Sequence, residues 1–125
     1  MRLLLDTHIA IWLTRDAAEL TPAARKLITD ADEVFVSSAS IWEAAIKAAL
    51  GKLALLPQRF ADQLRQAGIE QLPMTWAHAL ALHSLPALHK DPFDRLLVAQ
   101  AMSEPMHLLT HDAALAAYSD LVIVV

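Results

Sequence analysis

Residues 2–6 read Arg-Leu-Leu-Leu-Asp, a short apolar run that ends in an acid. A continuous apolar run of this length is typical of a β-strand that is covered on both faces, as in a parallel sheet. Residues 34–36, 107–110 and 121–125 have the same character, and the last of these is the most strand-like. Residues 69–72 are a candidate for one more short strand.

Helix signals lie between these runs. Thr21-Pro22 and Asp91-Pro92 each place a capping residue before a proline at the first helical position. The other predicted helices are 41–50, which stops at Gly51, one from Pro57 to Gly68, about 75–84, and 112–118. Strands separated by helices predict one α/β domain over residues 1–125, with a central parallel sheet of about five strands and helices on both faces.

The composition excludes several classes of protein. The chain contains no cysteine, which rules out disulfides and thiolate metal sites. No apolar run approaches the roughly 20 residues that cross a bilayer, and an acid comes too early for a signal peptide, so we expect a cytoplasmic protein with no membrane association. The hydrophobic fraction of 56% exceeds the usual fraction of about 45–50%. We therefore expect part of the surface to pack against a partner or a second copy.

The net charge of −4 has the wrong sign for holding nucleic acid by bulk electrostatics. A polyanionic ligand would require the electrostatic potential to be positive at its binding site. Bound divalent cations provide one means of reversal. Basic residues near the site provide another, and the candidates are Lys47, Lys52, Lys90 and Arg95.

Four acids fall where strands end or helices begin. Asp6 ends the first strand, and Asp112 follows the strand at 107–110. Glu43 and Asp94 lie in the first turns of their predicted helices. In open α/β sheets, the carboxyl ends of the strands and the N-termini of the following helices share the edge where ligands bind. The sequence therefore predicts that these acids converge in one crevice.

Three of the acids also fit ordinary helix-start roles. Ser40 and Glu43 have the spacing of a capping box. Asp94 lies in a first turn, where the helix dipole favours an acid, and Asp112 is able to cap the last helix. Asp6 has no basic partner nearby in sequence and resists such an explanation. Capping and ligand binding are compatible, so both interpretations stay open.

Converging carboxylates repel one another and raise each other's pKa values. Mg²⁺ or Mn²⁺ relieves this repulsion, because hard divalent ions favour oxygen ligands and leave coordination sites for water and phosphate. The six histidines contain no HExxH pairing. His78 and His83 are five residues apart, a poor spacing for one helical face, so we expect them to be surface or core residues.

The segments around the four acids resemble those of PIN-domain nucleases, specifically the toxin subunits of VapBC-type toxin–antitoxin pairs. The resemblance runs along the whole chain, and four short motifs in the right order carry it. They are LDTH at 5–8 with Ile11-Trp12, SSASIWE at 37–43 with Ile46-Lys47, KDPFDR at 90–95 through Ala99 and Ala101, and LTHD at 109–112 with the final strand.

The resemblance implies a Rossmann-like PIN domain, Mg²⁺ or Mn²⁺ as cofactor, and endonucleolytic cleavage of RNA. It gives metal-binding and catalytic roles to Asp6, Glu43, Asp94 and Asp112, and we assign the central ligand roles to Asp6 and Asp94. Many members carry a further acid shortly after the position of Asp112, where this chain has Ala114. Whether one or two ions bind therefore stays open.

Several neighbours of the acids are candidates for supporting roles. Thr7, Ser38 and Thr110 either hydrogen-bond a metal-bound water or phosphate, or act as caps and turn residues. Arg95 is a candidate phosphate contact. Asp91 is able to compensate for the missing acid, although starting its helix is the simpler role. Lys47 follows Glu43 by four residues, which favours a helical ion pair over a contact with RNA.

The resemblance also implies a homodimer and a cognate antitoxin. The antitoxin's C-terminal segment would bind in a groove and reach towards the acids with a basic residue. Trp12, Trp42 and Trp76 are candidates for these interfaces, although burial in the core is the simpler expectation for any one of them.

Two other functions fit less of the sequence. A receiver-type signalling domain also binds Mg²⁺ with acids at strand ends, but it needs adjacent acids near the first strand and a lysine after a late strand. Here Asp6 is solitary, and Thr110-His111-Asp112 contains no lysine. A PIN fold that only binds partners is the other alternative, and the presence of all four acids argues against it.

Overall fold

The computed structural model describes residues 1–125, and its centre is a five-stranded parallel sheet. The strand order is β3-β2-β1-β4-β5, so the first strand lies in the middle and the chain winds outwards in both directions. Leu4 pairs with Phe35 on one side and with Leu108 on the other. The predicted parallel sheet of about five strands is confirmed. The strands are β1 (Arg2–Leu5), β2 (Glu33–Ser37), β3 (Glu70–Leu72), β4 (His107–Thr110) and β5 (Val122–Val124).

Six α-helices connect the strands, and two short 3₁₀ segments complete the chain. The predicted caps are confirmed: Thr21 caps the second helix and Asp91 the sixth, each before a proline. The helices are α1 (Thr7–Arg15), α2 (Pro22–Asp30), α3 (Ser38–Ala49), α4 (Pro57–Gln66), α5 (Trp76–Ala81) and α6 (Pro92–Ser103), and the 3₁₀ segments are Leu82–Ser84 and Ala113–Ala117.

Two hydrophobic layers lie on opposite faces of the sheet. Leu3 and Leu5 pack into a layer with residues of α1, α2, α3 and α4. Leu4 points the other way, into a layer with Leu97 of α6 and Leu115. Successive strand residues are therefore buried on alternate faces, as expected for a sheet covered by helices on both sides. None of the helices has the length and apolarity needed to cross a membrane.

Three predicted helices differ from those observed. The segment 75–84 is an α-helix only to Ala81 and then tightens into a 3₁₀ turn. The last predicted helix, 112–118, is a 3₁₀ segment capped by Asp112. The third helix was predicted to begin at residue 41, but it begins at Ser38, because Ser37 follows β2 directly and its hydroxyl accepts a hydrogen bond from the Ala39 amide at 3.0 Å.

The early start of α3 makes the predicted capping box wrong. The Ser40 hydroxyl accepts a hydrogen bond from Thr7 at 2.9 Å, inside the helix rather than at its cap. Glu43 consequently lies in the second turn of α3 and not in the first. Its carboxylate accepts a hydrogen bond from Lys47 rather than from a backbone amide, and its charge acts on Asp6 and Asp94.

The expectation that individual tryptophans belong to the core is wrong for two of the three. Trp76 is 89% exposed and Trp42 is 59% exposed. Trp12 is partly buried against the larger hydrophobic layer. Trp42 and Ile46 of α3 and Leu50, which caps its end, follow one another at four-residue spacing and are exposed, so the excess of apolar residues is in part a surface feature.

His78 ties α5 to the C-terminal end of α6. The ring is 1% exposed. Its Nδ1 accepts a hydrogen bond from the Thr75 amide at 3.1 Å and lies 3.3 Å from the Gln100 carboxamide nitrogen. Nε2 lies 2.7 Å from the Glu104 carboxylate. His78 is thus a core residue and His83 is a surface residue, as the sequence predicted for the pair.

His78→Ala should lower the free energy of unfolding by about 2–4 kcal/mol, because it leaves a cavity and removes the partners of buried polar groups. Urea denaturation measures the change. His83→Ala is the matched control, and at that exposed position we expect a change within about 0.5 kcal/mol. Equal stability of the two variants would contradict the role given to His78.

Candidate active site

Asp6 lies at the carboxyl end of the central strand and starts α1. Its Oδ1 accepts a hydrogen bond from the Ile9 amide at 2.9 Å, which caps the helix. Its Oδ2 accepts a hydrogen bond from the Thr110 hydroxyl. Asp6 is 4% exposed. Burial raises the pKa of this carboxyl, and nearby Glu43 adds to the shift, although the two hydrogen bonds and His8 oppose it.

Thr110 connects two of the acids. Its hydroxyl donates to Asp6, and the same oxygen accepts a hydrogen bond from the Asp112 amide at 3.0 Å. Since Thr110 ends β4, and β4 is the neighbour of β1 in the sheet, this contact fixes the acid after one strand relative to the acid after the next.

Glu43 enters the site from α3 and is almost fully buried. Its Oε2 accepts a hydrogen bond from the Lys47 ammonium at 2.7 Å, which confirms the predicted pair between residues four apart. Its Oε1 is buried and has no hydrogen-bond partner. A buried carboxylate oxygen without a partner is costly, and a bound cation would satisfy it.

Asp94 lies in the first turn of α6, as predicted, directly behind its cap. Asp91 Oδ1 accepts hydrogen bonds from the amides of Phe93 and Asp94 at 2.8 and 3.1 Å. Burial, together with the charges of Asp91, Asp6 and Glu43, raises the pKa of Asp94 to about 7, and His89 opposes the shift. Asp6 and Glu43 thus act on this carboxyl from two other segments, and Asp91 acts on it from the cap of the same helix.

Asp112 completes the group and has a histidine as its partner. Its Oδ1 accepts a hydrogen bond from the Ala114 amide at 3.0 Å, and its Oδ2 lies 2.8 Å from His89 Nε2. Partial burial alone would raise the pKa of Asp112, but the hydrogen bonds from His89 and the Ala114 amide outweigh it and lower the pKa. Donor atoms of His89, Asp94 and Asp112 lie within 4.8 Å of one another.

The donor set suits a hard divalent cation such as Mg²⁺ or Mn²⁺. The acids offer carboxylate oxygens, which these ions prefer. Glu43 Oε1 has no hydrogen-bond partner, and burial, with a further contribution from nearby carboxylates, raises the pKa values of Asp6 and Asp94. The residues that would hold the ion are Asp6, Glu43, Asp94 and Asp112.

The predicted supporting residues divide into two groups. Thr110 contacts the acids, and Asp91 adds its charge to the site while capping α6. Thr7 is bonded instead to Ser40, and the Ser38 hydroxyl accepts from the Met74 amide at 3.1 Å. The Arg95 guanidinium donates to the Leu85 carbonyl at 3.4 Å, and its Nε is buried without a partner.

His89 contacts the site although the sequence did not predict it to be a site residue. The residue stands two positions before the Asp91 cap, outside the motifs around the acids. Its partner Asp112 is 23 residues away, so no local spacing signals the contact. The sequence offered one signal for this residue. The histidine stands shortly before an acid that starts a helix and that was predicted to belong to the metal site.

Asp94→Asn should raise the free energy of unfolding of the ion-free protein more at about pH 8 than at about pH 5. The folded-state pKa of Asp94 is above its unfolded value, so its contribution to stability is fully present below about pH 3.9 and is lost as the pH rises through about 7. Asparagine does not ionise, so the variant does not lose this stability as the pH rises. Thermal unfolding in EDTA at the two pH values measures it, and a benefit that is larger at the lower pH would contradict the prediction.

Known proteins resemble this chain over nearly all of its length. The family model described as PIN domain matches residues 3–121. Over 119 residues the chain is 36% identical to Ribonuclease VapC22 from Mycobacterium tuberculosis (strain ATCC 25618 / H37Rv), covering 90% of this chain and 88% of that protein.

Solved structures share the fold at low sequence identity. VapBC2 from Rickettsia felis, bound to a DNA fragment from their promoter, has a TM-score of 0.71 at 15% identity, covering 100% of this chain and 98% of that one. A toxin–antitoxin complex from Klebsiella pneumoniae has a TM-score of 0.68 at 19% identity, covering 97% and 95%. With both the family model and the sequence relative spanning nearly all of its length, the chain belongs to the PIN domain family, as a relative of the VapC ribonucleases.

Proposed function

We propose that this protein is a Mg²⁺-dependent endoribonuclease, the toxin of a type II toxin–antitoxin system, and that it hydrolyses RNA phosphodiesters with a metal-activated water. The convergence of Asp6, Glu43, Asp94 and Asp112 at one sheet edge carries the proposal, with Glu43 Oε1 buried and unpartnered there. The 36% identity to Ribonuclease VapC22 supports RNA as the substrate. Membership of the PIN domain family removes the receiver-type alternative.

Phosphodiester hydrolysis needs a deprotonated water in line with the phosphorus and a stabilised leaving oxygen. A bound divalent cation lowers the pKa of water and stabilises charge on the leaving oxygen. The protein's own part is to hold the ligands rigidly: Asp6 is fixed by the Ile9 amide and Thr110, and Asp112 by the Ala114 amide and His89. Fixed oxygens lose little freedom when an ion binds, which favours binding.

The roles among the acids follow their positions. Asp6 and Asp94 would be the central ligands, because Asp6 is buried, Asp94 is partly buried, and the charge of Asp6 helps to raise the pKa of Asp94. Glu43 and Asp112 would complete the ion's surroundings directly or through water, and one of them would orient the attacking water. Lys47 offsets part of the charge of Glu43, so it stabilises the site more than it attracts RNA.

Local cations also account for RNA binding by a chain whose net charge is −4. Ions held by the acids reverse the sign of the potential where the phosphate must approach. A ribonuclease toxin acts where RNA is present, so we place the protein in the cytoplasm.

A homodimer and a cognate antitoxin are the proposed protein partners. Large apolar side chains are exposed on α3 and α5, among them Trp42 and Trp76, and exposed apolar patches of this kind mark interaction sites. The acidic crevice suits a basic residue of an antitoxin. The Klebsiella pneumoniae structure of this fold is a toxin–antitoxin complex, and the Rickettsia felis structure is VapBC2 bound to a DNA fragment from their promoter.

Asp6→Asn should reduce RNA cleavage by at least about 100-fold, because it removes a charge from the ion site. A gel assay with Mg²⁺ and with EDTA measures this, and EDTA should abolish wild-type cleavage. The fold should persist, with equal or greater ion-free stability, since the asparagine side chain does not place a charge in this buried position.

The control for this variant is Asp120→Asn, which removes an exposed acid and should cleave at the wild-type rate. Undiminished cleavage by Asp6→Asn would contradict the metal site. A folded wild-type protein that binds Mg²⁺ without cleaving any RNA would instead favour the alternative, a PIN fold that only binds partners.

The protein should sediment as a dimer in analytical ultracentrifugation at micromolar concentration, because the apolar face of α3 is exposed in the single chain. A monomer whose sedimentation does not change with concentration would contradict the proposed homodimer.

A further inference from the structure

His89 contacts the acidic site from the loop that precedes α6. Its Nε2 lies 2.8 Å from Asp112 Oδ2 and 3.9 Å from Asp94 Oδ2. The side chain is 19% exposed. No other histidine of the chain forms a hydrogen bond or an ion pair with any of the four acids. His89 is therefore in a position to affect the site, although it is not one of the four acids and lies outside the four sequence motifs.

The hydrogen bonds around the ring define its proton. Nδ1 accepts a hydrogen bond from the Asp91 amide at 3.1 Å, so Nδ1 carries no hydrogen. The hydrogen of the neutral ring is then on Nε2, which donates to Asp112. A histidine whose second nitrogen is bonded in this way has its ring orientation fixed as well as its tautomer.

The backbone of His89 is also held. The Tyr118 hydroxyl accepts hydrogen bonds from the amides of Leu88 and His89 at 3.2 and 2.9 Å. Tyr118 follows the 3₁₀ segment that Asp112 caps. The loop that carries His89 and the segment that begins at Asp112 are thus joined at two points, one through the ring and one through the main chain.

Asp112 has the greatest need of such support among the four acids. Its side chain is 40% exposed, against 22% for Asp94 and 3% for Glu43. Each of its oxygens accepts one hydrogen bond, Oδ1 from the Ala114 amide and Oδ2 from His89. Because each carboxylate oxygen has two lone pairs, both oxygens keep a free position for an ion.

Direct binding of an ion by His89 would disturb this arrangement. Nε2 would have to give up its hydrogen, which would move to Nδ1 and break the bond from the Asp91 amide. Asp91 is the cap of the helix that carries Asp94. Ligation by His89 would therefore loosen the residue that fixes a central ligand.

We propose that His89 is a positioning residue, which orients the Asp112 carboxylate for the ion by donating its Nε2 hydrogen and does not itself bind the ion. Its effect on cleavage rests on the proposed ribonuclease function. Its effect on ion binding does not, so the two are separable by experiment.

The first test determines the tautomer in the ion-free protein at about pH 8. Long-range ¹H–¹⁵N correlation spectra distinguish the two neutral tautomers of each histidine, and the spectrum of His89→Gln identifies the signals of His89. We expect the tautomer with hydrogen on Nε2. Hydrogen on Nδ1 would overturn the proposal, because Asp112 would then receive no hydrogen bond from the ring.

The second test measures Mg²⁺ and Mn²⁺ binding by calorimetry without RNA. His89→Ala should weaken Mg²⁺ binding about 10-fold or more, as is typical when an outer-sphere partner is removed. His89→Gln should recover most of the affinity, because its carboxamide is able to donate to Asp112. His83→Gln, at an exposed position away from these contacts, is the control and should bind like wild type.

Two outcomes of the calorimetry would overturn the proposal. Unchanged Mg²⁺ affinity in His89→Ala would show that the hydrogen bond has no effect on the site. Equal losses of affinity in His89→Ala and His89→Gln would show direct ligation, since the glutamine carboxamide replaces the hydrogen-bond donor but not the imidazole nitrogen as a ligand.

Tyr118→Phe provides a second route if the His89 variants are unstable. It keeps the imidazole but removes the acceptor for the loop amides, and we expect a smaller loss of Mg²⁺ affinity than in His89→Ala. If Tyr118→Phe keeps both the wild-type Mg²⁺ affinity and the wild-type His89 spectrum, the Tyr118 hydroxyl does not hold the loop in the way described.

Cleavage assays complete the comparison. The rate lost in His89→Ala should be recovered in large part at high Mg²⁺, because the defect lies in holding an ion ligand. A loss that persists at saturating Mg²⁺ would contradict this. If the wild-type protein cleaves no RNA, the proposed ribonuclease function fails, while the spectra and the calorimetry still decide the role of His89.

Discussion

Several carboxylates are held close together at a partly buried edge of the sheet. Their mutual repulsion is the constraint on which the rest of this structure depends. Asp6 and Glu43 are buried, and their charges help to raise the pKa of Asp94 to about 7. Without an ion, such a group opposes folding, since isolated buried charge is costly. The fold must therefore supply enough packing elsewhere to hold the acids in place. Two hydrophobic layers on the faces of the parallel sheet provide that packing.

The topology reduces the cost of bringing the acids together. In the order β3-β2-β1-β4-β5 the central strands end at one edge, where the helices α1, α3 and α6 begin. Helix N-termini carry partial positive charge and free amide hydrogens, which stabilise nearby carboxylates. Asp6 and Asp112 each cap the segment that follows them. Glu43 lies one turn further into its helix, beyond the free amides of the helix terminus. Lys47 provides the positive charge beside it instead.

Local signals account for most of what the sequence predicted. The strands at 2–5 and 107–110 have the predicted bounds, and Asp91-Pro92 starts α6 as expected, because each depends on a few adjacent residues. The features that were missed depend on distant ones. Thr110 donates to an acid 104 residues away, and His89 to one 23 residues away. The start of α3 was placed too late because Ser37, the last residue of β2, is also the cap of the helix.

The sequence left capping and ion binding both open for the helix-start acids, and the geometry combines the two in Asp112 and also in Asp6, for which the sequence indicated no capping role. Asp6 and Asp112 each give one oxygen to a backbone amide and the other to a side-chain donor. One hydrogen bond leaves a lone pair on each oxygen, so a carboxylate that is locked by capping still has positions for a cation. The lock also removes rotamers that ion binding would otherwise have to freeze. The helix starts are thus part of the proposed ion site, because the bonds that begin each helix set the direction from which its acid would meet an ion.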